Sequence, residues 1–218
     1  MYLTRFEFNT ARRGSRELLA SPHRLHGAVQ AAFPTDRREA RPEGRILWRV
    51  DQREHRALLY LVSPYEPDLT HVVEVAGWPT TEAWQTKPYR PLLEKLDVGQ
   101  EWAFRLTANP VYQTKLDPTA KRSKRLGHVT VRQQTEWLLT RCERLGFRIM
   151  PAVGGEPDVA VQGRRVWTFR RDSRDVTLAT ATFGGRLAIE DAEAFRHSLT
   201  HGIGPAKGYG CGLLTLAR

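Results

Sequence analysis

The sequence predicts an α+β chain in which a strand–helix–strand–strand–helix–strand unit occurs twice in tandem. Two kinds of observation predict it. Runs with a period of two alternate with runs of helical spacing in the same order in each half. The length of 218 residues suits one large domain or two of about 100 residues each. A 40% share of apolar residues is enough for a packed core.

Residues 2–8 alternate, with Leu3 on one face and Tyr2, Phe6 and Phe8 on the other, and read as a strand. Arg12, Arg13 and Arg16 follow in a polar connection. Ser21-Pro22 starts a helix, Ser21 as N-cap and Pro22 in the first helical position. Leu25, Val29 and Phe33 recur at helical spacing, and Pro34 ends the run. Residues 46–50 and 57–62 read as two strands joined by a charged turn. The Pro- and Trp-rich segment 64–91 is expected to hold a short, poorly marked helix, a last strand and a linker.

The second half opens on residues 101–108, EWAFRLTA, an alternating strand stopped by Asn109-Pro110. A cation-dense loop follows. Residues 130–145 have helical spacing through Val131, Trp137, Leu138 and Leu145, and Gly146 closes them. Residues 147–150 and 159–161 read as short strands, and 164–183 as a hairpin turning at Asp172-Ser173. Residues 186–189 form a further paired segment, 192–199 a short helix, and 213–216 a terminal strand. Each half is therefore a split βαβ unit, the ferredoxin-like arrangement, with residues 1–90 in the first domain and 91–218 in the second.

The net charge of +10 favours a polyanionic partner, nucleic acid or an anionic membrane surface. No apolar run approaches transmembrane length, and the N-terminus alternates like a strand instead of a signal peptide, so membrane contact is the weaker choice. Cys142 and Cys211 form no metal-ligand or disulfide pattern. A reducing, cytoplasmic protein without a structural metal or cofactor is expected.

The stretch 202–212, GIGPAKGYGCG, holds five glycines around Lys207. Glycine admits positive φ and lets a polyanion approach the main-chain amides. A Walker loop needs Ser or Thr after its Lys, and Gly208 stands there; a dinucleotide fingerprint needs a following helix, and a strand follows instead. Gly204, Gly208, Gly210 and Lys207 are candidate phosphate contacts.

His23 and His26 lie three apart on one face of the first helix. Such a pair suits RNA cleavage by the ribose 2′-hydroxyl, which needs a base, an acid and a cation and no metal. A two-histidine metal site lacks an indicated third ligand. Lys115, Lys121, Arg122, Lys124 and Arg125 in the cationic loop, and Arg170, Arg171 and Arg174 at the hairpin tip, are candidate RNA contacts, because few acidic residues surround them. Most of the six tryptophans fall on strand or helix patterns and read as core.

These residues carry a resemblance. MYLTRFEF, SPHRLHGAVQAAFP, FRLTANP with the lysines that follow, and above all GIGPAKGYGCGLLTLA resemble the CasE family, the CRISPR repeat endoribonucleases of type I-E Cascade, over nearly the whole length. The resemblance implies two ferredoxin-like domains and metal-independent cleavage at the 3′ base of a repeat hairpin. Its products are a 2′,3′-cyclic phosphate and a 5′-hydroxyl. The hairpin is then retained beside other Cascade subunits. The free protein is expected to be a monomer. The family's catalytic histidine falls on His26, its groove-contacting hairpin on Arg170 and Arg171, and its loop lysine on Lys207. The family often has Tyr where this chain has His23, which leaves open whether His23 takes over that role. A non-catalytic RNA-binding scaffold of the same fold shares the charge and the glycine loop, and only the histidine pair separates the two. A nucleotide-binding protein using the loop is a third reading.

Overall fold

The computed structural model describes residues 1–79, 83–114, 124–171 and 174–217. The first half begins with β1 (Tyr2–Phe8), α1 (Arg13–Leu19) and α2 (Pro22–Ala31). The strands β2 (Leu47–Arg53) and β3 (Arg56–Ser63) follow, then α3 (Thr70–Ala76) and β4 (Gln85–Pro88). Its sheet runs β2-β3-β1-β4, antiparallel throughout. A short helix, α4 (Arg90–Glu94), leads to the second half.

There, β5 (Glu101–Ala108), β6 (Val111–Thr114), β7 (Lys124–Gly127) and α5 (Val131–Leu139) come first. Next are β8 (Phe147–Ile149), β9 (Val159–Arg171), β10 (Arg174–Ile189), α6 (Ala192–His201) and β11 (Leu214–Ala217). The second sheet runs β11-β5-β10-β8, with β9 also paired to β10, while β6 and β7 form a separate ribbon. Setting β9 and that ribbon aside, both sheets have one strand order, so the chain folds as two ferredoxin-like units.

Period-two patterning explains how the units meet. On β2 and β3, Trp48 and Leu61 face each other beneath the helices of the first unit, in a core with Phe6, Phe8, Leu25 and Val29. Their neighbours Leu47 and Val62 face the other way, into the core of Phe104, Leu106, Trp137, Phe183 and Phe195. The first sheet is therefore buried on both faces, and its second face belongs to the partner unit.

Arg49 fixes that junction. Its side chain is 2% exposed and donates to both carboxylate oxygens of Asp51, at 2.7 and 2.9 Å. It also donates to the Arg105 carbonyl of β5 at 2.7 Å, the Leu213 carbonyl at 3.1 Å and Thr215 Oγ1 of β11 at 2.8 Å. A guanidinium presents five N–H donors in a rigid fork, which lets one side chain tie three strands.

The structure corrects several sequence expectations. The polar connection containing Arg13 and Arg16 is helix α1, held from outside: Ser15 donates to the Ala76 carbonyl at 2.9 Å, and Gly14 lies where a Cβ would sit 2.3 Å from the Val75 carbonyl oxygen. The predicted helix 130–145 breaks after Leu139 into a 3-10 turn at Glu143–Leu145, and Gly146 closes that turn at φ 82°. The separate segments 159–161 and 164–171 are one strand with a bulge, since Thr182 pairs with Gly163 but Phe183 with Val161. Segment 186–189 is the end of β10.

Candidate active site and RNA-facing surface

Helix α2 starts as the sequence predicts: Ser21 accepts from the Arg24 amide at 3.3 Å and Pro22 fills the first turn. Pro22, Leu25 and Val29 are buried. His23 and His26 lie on the flank of that buried line, His23 exposed and His26 half-buried.

The glycine loop meets this flank. It closes on itself through the Ile203 amide to the Gly212 carbonyl at 2.9 Å, and hangs on β5 through the Gly212 amide to the Thr107 carbonyl at 2.7 Å. A 3-10 turn, Lys207–Tyr209, forms its tip. At Gly208 a Cβ would lie 3.4 Å from His26 Cε1, so the glycine brings the main chain up against the imidazole. Tyr209 presents its ring edge-on to His26 at 5.8 Å and also meets Phe169 of β9 at 4.9 Å. Phe169 in turn stacks on His23, with centroids 6.2 Å apart and planes within 10°. A row of rings from α2, β9 and the loop thus joins the two units, and the predicted pair sits at its two ends.

Lys207 is turned into the loop. Its ammonium donates to the Gly204 carbonyl at 2.5 Å. Burial holds its pKa below the usual lysine value, and the charge of Arg45 adds to the effect. Gly210 has φ 79°, and a Cβ there would sit 2.6 Å from Trp48 Cζ3. Gly210→Val is expected to cost roughly 3 kcal/mol, because it combines a left-handed β-branched residue with overpacking. Urea unfolding checks this, with a loss below about 1 kcal/mol contradicting it. Gly204 likewise rests its backbone on Trp137, 2.9 Å from a hypothetical Cβ to Cη2.

The hairpin β9–β10 extends past the sheet. Residues 174–180 of β10 pair only with β9, since pairing with β5 begins at Ala181. At about 3.3 Å per residue that arm is roughly 20 Å long. Phe169 anchors it to α2, which puts exposed Arg170 next along the strand from the ring that touches His23. The backbones of Arg171 and Arg174 pair in register at the arm's end. Exposed Arg125 lies on β7, across the glycine loop, in a concavity of about 620 Å³ that Pro205 and Tyr112 also line. Lys124 starts β7, while Lys115, Lys121 and Arg122 lie outside the described residues.

Sequence reasoning missed Phe169, Tyr209 and Arg49. Tyr209 is an aromatic inside a glycine loop, and Phe169 adjoins the arginines of the hairpin tip, which are the available signals. Of the tryptophans, Trp48 and Trp137 are core as expected, whereas Trp78 is 44% exposed. Among the described residues, no three His, Cys, Asp or Glu side chains group closely enough to hold a metal ion, and no helix is long and apolar enough to cross a membrane.

Two split βαβ units clasping a histidine helix against a glycine loop make this a tandem ferredoxin-like α+β protein. Residues 1–218 match the family model described as CRISPR associated protein, and the chain belongs to that family. It is 30% identical to the CRISPR-associated endoribonuclease Cse3 of Thermus thermophilus, over 100% of both chains. It is 31% identical to the Cascade subunit CasE of Escherichia coli, over 100% of this chain and 99% of the relative. Among solved structures, Thermus thermophilus Cse3 bound to an RNA representing a pre-cleavage complex superposes with a TM-score of 0.80 at 30% identity, covering 100% of this chain and 98% of the other.

Proposed function

We propose that this chain is a metal-independent endoribonuclease that cuts CRISPR precursor RNA at the 3′ base of the repeat stem-loop. It keeps the mature guide hairpin as a subunit of a larger Cascade complex in the cytoplasm and is a monomer when free. The observation that carries the reading is His26 packed against the glycine loop at Gly208, in a chain of +10 net charge similar to Cse3 and CasE throughout.

In the reaction the ribose 2′-hydroxyl attacks the adjacent phosphate. The O2′–P bond forms, the P–O5′ bond breaks, a base accepts the 2′ proton and an acid protonates the leaving O5′. The products are a 2′,3′-cyclic phosphate and a 5′-hydroxyl. Imidazole suits either proton role because its ordinary pKa lies near neutrality. His26 is the proton-transfer group nearest the loop, and His23, at the other end of the ring row, either takes the second proton-transfer role or orients the phosphate. Lys207 supplies positive charge for the developing phosphorane once its ammonium turns out of the loop from the Gly204 carbonyl, where it rests in the free protein. Its lowered pKa reflects the cost of keeping that charge half-buried. Residues 1–90 carry the catalytic helix, while 91–218 carry the arm and the loop. Gly204, Gly208 and Gly210 shape the loop for the RNA backbone. Lys115, Lys121, Arg122, Lys124 and Arg125, with Arg170, Arg171 and Arg174, hold the phosphates of the stem.

The test is a repeat hairpin with one 2′-deoxyribose at the cleaved nucleotide. The intact RNA is expected to be cut, and the deoxy RNA to be bound equally well and left whole. An intact hairpin that is bound and never cut would make the chain a scaffold.

For the arm, Arg170→Ala with Arg171→Ala is expected to weaken hairpin binding. It should also flatten the dependence of log affinity on log salt by about one unit per lost phosphate contact. A salt titration by fluorescence anisotropy measures both. An unchanged slope would place these arginines away from the RNA.

A further inference from the structure

A histidine that moves a proton needs more than a place on a helix. Its acting nitrogen must come within about 2.6 to 3.2 Å of the reacting oxygen. The outer torsion of a histidine side chain is broad and roughly two-fold, so the side chain does not find that orientation by itself. Helix α2 fixes the backbone of His26, because Leu25 and Val29 on either side of it are buried. The imidazole stands half-buried on the flank of the helix, and contacts from outside α2 must hold it.

Two such contacts come from the tip of the glycine loop. The first is main chain. A Cβ on Gly208 would lie 3.4 Å from Cε1, 3.6 Å from Nδ1 and 3.8 Å from Nε2 of His26, so the imidazole rests against that residue. The second is Tyr209, whose ring meets the imidazole at 5.8 Å between centroids, with planes 63° apart. Tyr209 is itself held from several directions. Its turn is flanked by two left-handed residues, Ala206 at φ 61° and Gly210 at φ 79°, and its amide donates to the Ala206 carbonyl at 2.9 Å. Left-handed alanine is uncommon and persists where the surroundings enforce it. Gly210 is seated on the ring of Trp48, in the core of the first unit. Phe169 of β9 meets the Tyr209 ring at 4.9 Å, with planes 60° apart. Both ring spacings lie in the range that edge-to-face aromatic pairs prefer.

The proton transfers of cleavage give neither of these two rings a part. We propose that Tyr209 is a positioning residue for cleavage. Its ring, buttressed by Phe169, holds the His26 imidazole in the orientation from which it exchanges a proton at the scissile phosphate. The work falls to the ring and not to the hydroxyl, because both contacts are made between rings. The proposal rests on the repeat-endoribonuclease reading and adds to it the side chain that sets the geometry of its histidine.

The test is single-turnover cleavage of the repeat hairpin at saturating enzyme, with affinity measured separately. Tyr209→Leu is expected to cut about 10²-fold more slowly, the loss that a misplacement of about 1 Å brings. Tyr209→Phe, which keeps the ring, is expected to restore the rate. In a His26→Ala background, adding Tyr209→Leu should bring no further loss, because a residue that acts through another is silent once that other is gone. Proton NMR of the histidine-labelled protein without RNA gives a second readout. The His26 Cε1–H signal, assigned by its loss in His26→Ala, should move in Tyr209→Leu and hold its place in Tyr209→Phe, since it lies in the field of the neighbouring ring. Wild-type cleavage by Tyr209→Leu, an unmoved His26 signal, or equal slowing in the His26→Ala background overturns the role given to Tyr209 and leaves the nuclease reading standing. So does a Tyr209→Phe protein as slow as Tyr209→Leu, which would assign the loss to the hydroxyl. A wild type that cuts no hairpin ends the nuclease reading, and the role of Tyr209 ends with it.

Discussion

His26→Ala is expected to slow single-turnover cleavage of the repeat hairpin by about 10² to 10⁴, the usual cost of losing a positioned general acid or base. Affinity for the hairpin should change little. Binding to a protein of +10 net charge is expected to be dominated by phosphate contacts, to which one imidazole adds little. The rate is measured with enzyme in excess and the affinity separately, so that one effect cannot stand for the other. His23 gives an internal comparison. It stacks on Phe169 at the hairpin arm, and His26 faces Tyr209 at the loop. If His23 acts as the second proton-transfer group, His23→Ala should approach the loss at His26; if it only orients the phosphate, the loss should be smaller. An His26→Ala protein that cuts at the wild-type rate would remove α2 from the chemistry.

A large loss of stability is expected at Arg49. Arg49→Ala removes a buried guanidinium and leaves the Arg105 and Leu213 carbonyls without a donor that they now have. Truncating one member of a buried, hydrogen-bonded ion pair costs about 3 to 5 kcal/mol. The lower end applies here, because Asp51 keeps a second partner in Arg105 at 3.1 Å. Urea unfolding should show the midpoint falling with an unchanged slope. Thr215→Val, which removes only one of Arg49's acceptors, should cost about 1 kcal/mol. Cleavage should also suffer at Arg49→Ala. Leu213, whose carbonyl Arg49 holds, follows directly on the glycine loop, so this tie fixes the loop against the unit that carries His26. A loss under 1 kcal/mol with normal cleavage would mean that apolar packing alone holds the units in register.

Much of this fold was legible because local chemistry decided it. Ser21 and Pro22 start α2, and the alternation in β1 and β5 matches their pairing. What was illegible depended on distant partners. Helix α1 has no apolar face of its own beyond Leu18 and Leu19; Ser15 on the Ala76 carbonyl and Gly14 against Val75 hold it to α3. The bulge at Gln162 appears only once β10 is alongside. The turn at Lys207–Tyr209 begins on Ala206 at φ 61°, a conformation that no alanine advertises.

The candidate site divides the same way. His26, Lys207 and the glycines stood out as residue types suited to acting on a phosphate diester. Their arrangement did not, because it is made between segments far apart in sequence: α2, β9 and the loop. Phe169 and Tyr209 carry no polar signature in a strand and a turn, yet they join the histidine pair into one row of rings. Arg49 carries no sequence signal that sets it apart from the other cations, and only burial at 2% exposure shows it to be a structural tie.

The central claim is that side chains of α2 and the glycine loop cleave RNA through its own 2′-hydroxyl. The most direct measurement is cleavage of an end-labelled repeat hairpin by the wild-type protein in excess EDTA, with the ends of the products identified. The account predicts one cut at the 3′ base of the stem at an undiminished rate, leaving a 2′,3′-cyclic phosphate and a 5′-hydroxyl. Loss of cleavage in EDTA with recovery on adding a divalent cation, or products ending in a 3′-hydroxyl and a 5′-phosphate, would contradict it.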